Sequence, residues 1–367
     1  MTATFDLDAD QVMIRDQAHE VLAEYSTLSR LCALLENKEG FDTALWNGTA
    51  ELGWPGAVVA EAFGGHDIGW TTVCMLAEEI GRVCGAIPHS STAVVADYLG
   101  TLASGHPDRE YLADIAAGKV IATIGICEKG TNLLPAQPSV RFDGTRLYGT
   151  KAAVAFGAVA SHALIYVRSS PGSVGLVLAD LNDPSVMRQP HPALDDSRGY
   201  ADLIFDGTPA RLCENGRQNS AGWLLDRAAI AYACEQLGGA QACLDIACDY
   251  ARTRTAFGQS IGRFQAIKHA LADVYAAIEI ARGNVYHALS PDGLANLPVA
   301  AATARLASTH AYELAAKTAI QVHGGIGVTW EGGLHHHYRR SRVLALELGS
   351  PIGWRNQLID HLAGAAA

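Results

Sequence analysis

The stretch that decides the fold spans residues 250–273 and reads Y-A-R-T-R-T-A-F-G-Q-S-I-G-R-F-Q-A-I-K-H-A-L-A-D. Alanine-rich sequence typical of helices precedes and follows it, whereas Gly258 and Gly262 interrupt the helical period. This pattern predicts a turn between two helices. A guanidinium, aromatic rings and amides gathered at one turn suit an anionic, planar ligand. From residue types alone, a surface loop that closes a helical hairpin is the alternative.

The composition indicates a large globular protein. The chain has 367 residues, of which 49% are hydrophobic and 18% charged, with a net charge of -11, so two or three domains are expected. The negative charge disfavours nucleic acid and anionic membranes as main partners. The eight cysteines form no CxxC pair, no secretory signal precedes the acidic start, and no apolar run reaches the roughly 18 residues of a membrane span. We expect a cytoplasmic protein with reduced thiols.

Three regions of different texture follow one another along the chain. Residues 1–117 have apolar residues at helical spacing, for example in 11–25. Residues 118–217 contain short runs rich in Val, Ile, Leu and Tyr, separated by Gly, Asp, Asn and Pro, which predicts an antiparallel β domain, sandwich or barrel. Residues 218–367 are helical again. We predict an α+β multidomain fold with an N-terminal helical domain, a middle antiparallel β domain and a C-terminal four-helix bundle.

Several motifs in this order resemble those of the acyl-CoA dehydrogenase family of flavoproteins, over nearly the whole chain. The most specific match is R-T-A-F-G-Q-S-I-G-R-F-Q at 254–265, and the second is I-Q-V-H-G-G-I-G at 320–327. The segments G-W-P-G at 53–56 and A-E-E-I-G-R at 77–82 resemble the family's first domain. The resemblance implies the acyl-CoA dehydrogenase fold and FAD as cofactor.

In that family, the two strongest motifs hold the FAD of a neighbouring subunit. An arginine at position 254 can donate a fork of hydrogen bonds to the pyrophosphate, and the apolar side chains can pack against the adenosine portion. Glycines let the backbone approach the phosphates closely. The cofactor residues implied by the resemblance are Arg254, Phe257, Ile261, Phe264, Gln265, Gln321, Gly324 and Gly325.

The segments that line the flavin ring in the family depart from the usual pattern here. The family's T-E-P-x-A-G-S-D falls at I-C-E-K-G-T-N (126–132), where Cys127 and Lys129 replace the threonine and the proline. The family's W-I-T or W-I-S falls at G-T-K-A-A-V-A-F-G (149–157), where Ala153 and Ala155 stand in place of the Trp and the hydroxyl residue. A flavin seated here would lose its aromatic wall, unless Phe156 substitutes for it.

The sequence offers two candidates for the catalytic base. The reaction needs a carboxylate that removes the α-proton of a thioester. In many members this Glu lies near the C-terminus, where the ungapped position is Leu348 and Glu347 comes one residue early. Other members place it on the first bundle helix, just before an Arg, which here gives Asp226. We predict Asp226 as the base, with Glu347 as the alternative, and assign the following Arg227 to the substrate or its CoA. An acid in the first helical turn, favoured by the helix dipole, is the structural interpretation of Asp226.

The run of histidines at 335–337 invites a metal-site interpretation. Consecutive side chains point in different directions, so three of them do not converge easily on one ion. We predict a solvated basic patch, with Arg339, Arg340 and Arg342, and no metal site.

The pattern of kept and lost motifs resembles the β-type subunit of the heteromeric α2β2 acyl-CoA dehydrogenases of actinobacteria, whose substrates are often CoA thioesters of steroid side chains. It implies a subunit of an FAD-dependent enzyme that desaturates an acyl-CoA between Cα and Cβ, with electron-transfer flavoprotein as the next carrier. One alternative is a non-catalytic subunit that completes the FAD site of a paralogous partner. Another is a self-sufficient homo-oligomer that uses Asp226 as base, and a third is a relative with changed chemistry, such as a flavin oxidase.

Overall fold

The computed structural model describes residues 9–131, 133–170, 173–217 and 219–365. The first eight residues, which carry part of the acidic start used above, lie outside these ranges, as does Asn132 of the first departing segment. None of the helices in the described ranges is long and apolar enough to cross a membrane. The helices are α1 Ala9–Tyr25, α2 Leu28–Asn37, α3 Thr43–Glu51, α4 Gly69–Arg82, α5 His89–Gly100, α6 Tyr111–Ala116, α7 Ser220–Thr253, α8 Gln265–Leu289, α9 Pro291–Ala295, α10 Leu297–His323, α11 Leu334–Leu344 and α12 Pro351–Ala365.

The N-terminal region consists of helices α1 to α6, joined by short turns. Asp42 caps α3 because its carboxylate accepts hydrogen bonds from the backbone N–H groups of Ala44 and Leu45. Apolar faces of α1, α3 and α4 meet in a small core that includes Leu22, Trp46 and other buried residues. The helical region predicted for residues 1–117 is therefore present from Ala9 onward.

The middle region is a seven-stranded sheet that closes on itself. Its strands are β1 Ala122–Gly125, β2 Arg141–Phe142, β3 Arg146–Val154, β4 His162–Ser170, β5 Ser173–Asp180, β6 Val186–Pro190 and β7 Ala201–Leu212. Strand β4 pairs with β2 and β5, and these connect through β3 and β7, so five strands form a ring. The β domain is thus barrel-like. The predicted antiparallel pairing holds for β2–β3, β3–β7, β4–β5, β5–β7 and β6–β7, whereas β1 and β2 pair with β4 in parallel.

The C-terminal region is a bundle whose long helices are α7, α8 and α10, with α11 and α12 packed on α10. Two glycines let α7 lie directly against α4 of the N-terminal region. A Cβ on Gly238 would come within 1.8 Å of the Glu78 carbonyl oxygen, and one on Gly81 within 1.9 Å of the Glu235 carbonyl oxygen. This close approach buries α7 between the bundle and the N-terminal helices.

A short hairpin, rather than a simple turn, joins α7 to α8. Its strands are β8 Thr255–Ala256 and β9 Gln259–Ser260, and a 3-10 turn at Ile261–Arg263 follows. Phe257 and Gly258 at the tip have φ of 49° and 79°, which is the left-handed conformation that a tight hairpin requires. The hairpin therefore projects Phe257 away from the bundle, and its side chain is 97% exposed.

Candidate functional site: an exposed cofactor surface and an interdomain cavity

The two strongest sequence motifs lie side by side on the outside of the bundle. Tyr250, near the end of α7, stacks on His323, the last residue of α10, with ring centroids 4.0 Å apart. The hairpin follows the first of these residues, and the turn at Gly324 follows the second. The two motifs thus start from neighbouring helix ends. We call the eight residues that the resemblance assigns to FAD the hairpin surface: Arg254, Phe257, Ile261, Phe264, Gln265, Gln321, Gly324 and Gly325.

The hairpin surface is open to an incoming ligand. Arg254, Gln265 and Gln321 are exposed, and Arg254 has no ion-pair partner in the described part of the chain. An added Cβ on Gly324 or Gly325 would meet nothing within 4 Å, so the backbone there can be approached closely. An unpaired guanidinium and accessible backbone are groups that can bind a phosphate, so this surface is open to an anionic ligand.

The segments expected at the flavin ring line a different site, which we call the interdomain cavity. It has a volume of about 390 Å³ and lies between the β domain, α7 and the end of α11. Its lining is mostly apolar and consists of Thr123, Ile124, Ile126, Cys127, Glu128, Ala152, Ala153, Val154, Ala155, His191, Pro192, Ala193, Tyr200, Tyr232, Val343, Leu346, Glu347 and Leu348.

Two backbone donors of the alanine segment beside this cavity are engaged within the chain. The Ala152 N–H donates to the Cys127 carbonyl at 2.9 Å, and the Ala153 N–H donates to Asp202 Oδ1 at 2.7 Å. Backbone donors on this strand are therefore already engaged and are not free for the polar edge of a flavin. Phe156 does not replace the missing aromatic wall, because it is 1% exposed and packs under the Arg198 guanidinium at 4.8 Å.

Glu347 is held in a buried ion pair at the inner wall of the cavity. Arg198 donates two hydrogen bonds to its carboxylate, from Nε to Oε1 at 2.8 Å and from Nη2 to Oε2 at 2.9 Å. The Tyr200 hydroxyl donates to the same carboxylate, and Arg305 donates to the Glu347 carbonyl at 2.7 Å. Both carboxylate oxygens of Glu347 are therefore engaged in hydrogen bonds within the chain.

The same arginine extends the ion pair into a buried charge network across three parts of the fold. Arg198 Nη1 lies 2.8 Å from Glu235 Oε1 on α7, and Arg340 Nη1 on α11 lies 3.1 Å from the same oxygen. Arg340 Nε also lies 2.5 Å from Asp195 Oδ2. Although burial alone would raise it, Arg340 holds the pKa of the Asp195 carboxyl below its ordinary value. The network, Arg198, Glu347, Glu235, Arg340 and Asp195, fastens the β domain to the bundle.

The prediction of a solvated basic patch at residues 335–342 is therefore wrong for its central residues. Arg340 is 1% exposed and belongs to the charge network, while His336 and His337 are also buried. The His337 Nδ1 lies 3.0 Å from the Tyr312 hydroxyl, and burial lowers the pKa of this histidine to about 3. These groups are uncharged or paired parts of the core. In the described residues, no three His, Cys, Asp or Glu side chains form a metal-binding cluster.

Asp226 lies away from the interdomain cavity, in the core between α7 and α12. It is 3% exposed, and its one hydrogen bond within the described residues comes from Gln357 Nε2 at 3.3 Å. Burial raises the pKa of this carboxyl to about 7. Because α7 begins at Ser220, Asp226 lies beyond the first turn, and the helix-dipole interpretation of it was wrong.

Arg227, predicted to contact the substrate or CoA, is engaged elsewhere. Its Nη2 lies 2.7 Å from Asp97 Oδ2 on α5, and its guanidinium lies 3.9 Å from the centroid of the Trp70 ring. The structure therefore places Arg227 in a packing interaction between α7, α5 and α4.

Sequence reasoning missed Tyr200 and Tyr232, which line the cavity, and Arg198 and Glu235 of the charge network behind them. A signal for one of them was present, since Glu235 is the single charged residue in the apolar run 228–240. A charge in an otherwise buried helix usually has a partner. Nothing in the local sequence identified that partner as Arg198 in the β domain.

Comparisons with known proteins agree with this architecture. The family model described as Acyl-CoA dehydrogenase, N-terminal domain, matches residues 8–119, and the model described as Acyl-CoA dehydrogenase, C-terminal domain, matches residues 218–358. The chain is 30% identical over 343 residues to acyl-CoA dehydrogenase IpdE2 of Mycobacterium tuberculosis, covering 93% of this chain and 94% of that relative.

Two solved structures have closely similar folds. A variant of the steroid ACAD Tcur3481-Tcur3483 superposes with a TM-score of 0.90 at 28% identity, covering 98% of this chain and 99% of that chain. The ChsE4-ChsE5 complex from Mycobacterium tuberculosis gives a TM-score of 0.89 over the same shares, and its 24% identity supports the fold alone.

The three-region fold, with a cavity between a β barrel and a helical bundle, is that of a flavoprotein dehydrogenase. The chain belongs to the acyl-CoA dehydrogenase family, whose members bind FAD and are oxidoreductases acting on CH–CH groups.

Proposed function

We propose that this chain is the β-type subunit of a heteromeric acyl-CoA dehydrogenase and completes the FAD site of a related partner chain. The observation that carries this proposal is the contrast between its two sites. The hairpin surface presents an unpaired Arg254 and a fully exposed Phe257, whereas the carboxylates of the interdomain cavity, Glu128 and Glu347, are paired within the chain. Such a chain has free groups that can contact a cofactor bound to another chain, whereas the carboxylates in its own cavity are already engaged.

The partner chain would supply the flavin-ring wall and the free carboxylate that this chain lacks. When bound, FAD accepts the hydride that leaves Cβ of the acyl-CoA, and electron-transfer flavoprotein is the proposed next carrier. The role of this chain is to bind the phosphates through Arg254, to pack the adenosine against Phe257 and Phe264, and to leave room at Gly324 and Gly325. The names of its relatives support a steroid side-chain CoA thioester as the substrate class.

Two further parts of the proposal concern boundaries and the self-sufficient alternative. Domain boundaries near residues 117 and 217 are supported by the change from α6 to β1 and from β7 to α7.

A homo-oligomer that uses Asp226 is less well supported. Its pKa of about 7 suits a base, but the side chain is buried against Gln357 and does not line the cavity.

The proposal is tested by purifying the chain alone and together with related chains encoded beside it. Bound FAD is measured by its visible absorbance and dehydrogenation by reduction of an artificial electron acceptor. We expect FAD and activity only in the mixed assembly, with Arg254→Ala lowering FAD affinity at least about tenfold, since hydrogen bonds to charged groups contribute about 1.5–3 kcal/mol.

The matched control is Arg252→Ala, two residues earlier and equally basic, because Arg252 is exposed and paired with Asp249. It should retain full FAD. If the lone chain holds one FAD per protomer and oxidises an acyl-CoA, the β-type assignment is wrong.

A further inference from the structure

A larger cavity lies among the helices, apart from the two sites described above. It has a volume of about 600 Å³ and is enclosed by α1, α4, α7 and α8, and we call it the helix cavity. Its lining includes Arg15 of α1, Cys74 and Glu78 of α4, Cys234 of α7 and Arg282 of α8. It shares no lining residue with the interdomain cavity or with the hairpin surface.

Two cysteines of the helix cavity come from different regions of the chain and contact each other. Cys74 lies on α4 of the N-terminal region, Cys234 lies on α7 of the bundle, and their side chains form a hydrogen bond. Each is 1% exposed, although both line the cavity. All eight thiols of the chain are free. The pair therefore consists of two reduced thiols in contact, beside a space that small molecules can occupy.

The close packing of α4 on α7 explains why these two side chains meet. A Cβ on Gly238 would come within 1.8 Å of the Glu78 carbonyl oxygen, so the two backbones touch at this point. Cys74 lies four residues before Glu78, and Cys234 lies four residues before Gly238. Because residues four positions apart share one face of a helix, each cysteine lies on the contacting face, one turn away. The fold thus holds the two sulfur atoms next to each other.

The helix cavity is polar and opens to solvent. Glu78 accepts a hydrogen bond from Arg282 Nη1 at 3.0 Å, and Asp16 and His19 of α1, which also line the cavity, are exposed. A water molecule takes up only about 30 Å³ of liquid volume, and hydrogen peroxide is close to it in size and polarity. The cavity therefore has room for hydrogen peroxide beside the thiol pair.

The two thiols of the pair are not equivalent. The hydrogen bond with Cys74, together with burial, raises the pKa of the Cys234 thiol, so Cys234 keeps its proton. A thiol that keeps its proton can donate to the neighbouring sulfur, and such a donor favours the thiolate of Cys74. Cys74 is therefore the sulfur that attacks an oxidant, and Cys234 is the sulfur that reacts second.

We propose that Cys74 and Cys234 form a redox site that hydrogen peroxide converts to a disulfide. In the first step, the Cys74 thiolate attacks one peroxide oxygen and the O–O bond breaks. A sulfenic acid forms, and the departing hydroxide takes up the proton that Cys74 has lost. In the second step, the Cys234 sulfur attacks the Cys74 sulfur, the S–O bond breaks, and the hydroxide leaves as water with the Cys234 proton. Two electrons pass from the thiols to the peroxide, which yields two water molecules.

The disulfide would link the N-terminal region to the bundle through α4 and α7. Disulfides in intracellular proteins are usually transient and redox-sensing, which suits a pair that is reduced in the structure. This site is separate from the hairpin surface and does not rest on the proposed role toward FAD.

The test treats the folded, reduced full-length chain with hydrogen peroxide and maps disulfides by mass spectrometry after digestion without reductant. A linked peptide pair that contains Cys74 and Cys234 should be the main product. Two of the eight thiols per chain should be lost, and dithiothreitol should restore them. Cys248→Ala is the matched control, because Cys248 is a half-buried cysteine on the same helix, and it should give the same linked pair.

Single variants then test the order of the two steps. In Cys234→Ala, dimedone should label Cys74 as a sulfenic acid, whereas in Cys74→Ala it should leave Cys234 unlabelled. Circular dichroism checks that both variants fold. Equal labelling of the two cysteines would overturn the assigned order.

The disulfide itself is tested in the wild type, so its test stands even where a substitution impairs folding. The proposal is overturned if no linked pair of Cys74 and Cys234 forms in the folded chain, if it forms only after urea is added, or if another cysteine pair is the main disulfide. FAD content of a mixed assembly is measured separately, so failure here is distinguishable from failure of the proposed function.

Discussion

The hairpin surface and the interdomain cavity differ most in how their charges are satisfied. On the hairpin surface, Arg254 is exposed and unpaired within the described residues, and Phe257 is 97% exposed. In the cavity, Glu347 and Glu128 are each held by a buried cation. Exposed and unpaired groups are available to another molecule, whereas paired groups mainly hold the fold together. The comparison therefore separates a surface that is open to another molecule from a cavity whose carboxylates are engaged within the chain.

The largest expected effect comes from breaking the buried charge network. Arg198→Ala leaves Glu347 and Glu235 with less compensation in the core, and removal of one partner from a buried ion pair costs about 3–5 kcal/mol. Urea unfolding should report a loss of this size. Arg339→Ala, whose guanidinium donates to the Leu194 carbonyl, is the control and should cost less than about 1 kcal/mol. A small loss for Arg198→Ala would mean that the network does not stabilise the fold.

The next effect concerns the pH dependence of stability at Asp226. Its pKa is about 7 in the folded chain, against about 3.9 when unfolded. Because folding raises the pKa of Asp226, the contribution of this carboxyl to the free energy of unfolding is fully present below pH 4. It is lost as pH rises toward 7. The total is roughly 2–4 kcal/mol. Asp226→Asn removes this dependence, so its stability relative to wild type should increase between pH 5 and pH 8 in urea unfolding.

Asp249→Asn is the control for that experiment, because the Asp249 side chain is 74% exposed and should show little pH dependence in this window. A stability difference between Asp226→Asn and wild type that stays constant from pH 5 to pH 8 would contradict the buried, uncompensated state of Asp226.

A smaller effect is expected at the tip of the hairpin. Phe257→Ala removes an aromatic side chain that is exposed in the lone chain and whose full burial contributes about 1.5–3 kcal/mol. FAD affinity of the mixed assembly should fall by about tenfold or more, while the unfolding free energy of the lone chain stays the same. Met187→Ala, at an exposed apolar residue on β6, should alter neither quantity. Loss of lone-chain stability in Phe257→Ala would place this ring in the fold rather than at a partner.

The smallest expected effect is on turnover when the carboxylate of Glu347 is neutralised. Glu347→Gln keeps the shape of the side chain but loses one of the two hydrogen bonds that Arg198 donates to the carboxylate, so stability falls while dehydrogenation by the folded mixed assembly should stay within about twofold of wild type. Loss of a catalytic base would lower kcat by about 10²–10⁴. A drop of that size in the folded assembly would restore Glu347 as the base.

The sequence predicted elements whose signals are local. The helix ending at His323 follows from the glycines after it, and the structure gives Gly324 a φ of 61°. The turn predicted between two alanine-rich helices likewise lies between α7 and α8. The parallel pairing of β1 with β4 could not be predicted, because Ala122 lies opposite His162, forty positions further along the chain, and no turn residue records such a pairing.

The same limit explains why the site was only partly predicted. The hairpin surface uses residues from two short contiguous motifs, so it was visible in the sequence. The charge network joins Arg340 to Asp195, which is 145 positions away, and to Glu235, which is 105 positions away. An isolated arginine beside three histidines therefore resembled a solvated patch, and only the fold supplies the counter-charges that bury it.

The central claim is that this chain completes a cofactor site on another chain and holds no flavin in its own cavity. The most direct test is the number of FAD molecules per chain in the purified mixed assembly, measured by FAD absorbance after denaturation and by quantitative amino-acid analysis. The account predicts one FAD for each pair of unlike chains, and none in the lone chain. One FAD for every chain, with all of it reduced by substrate, would contradict the account.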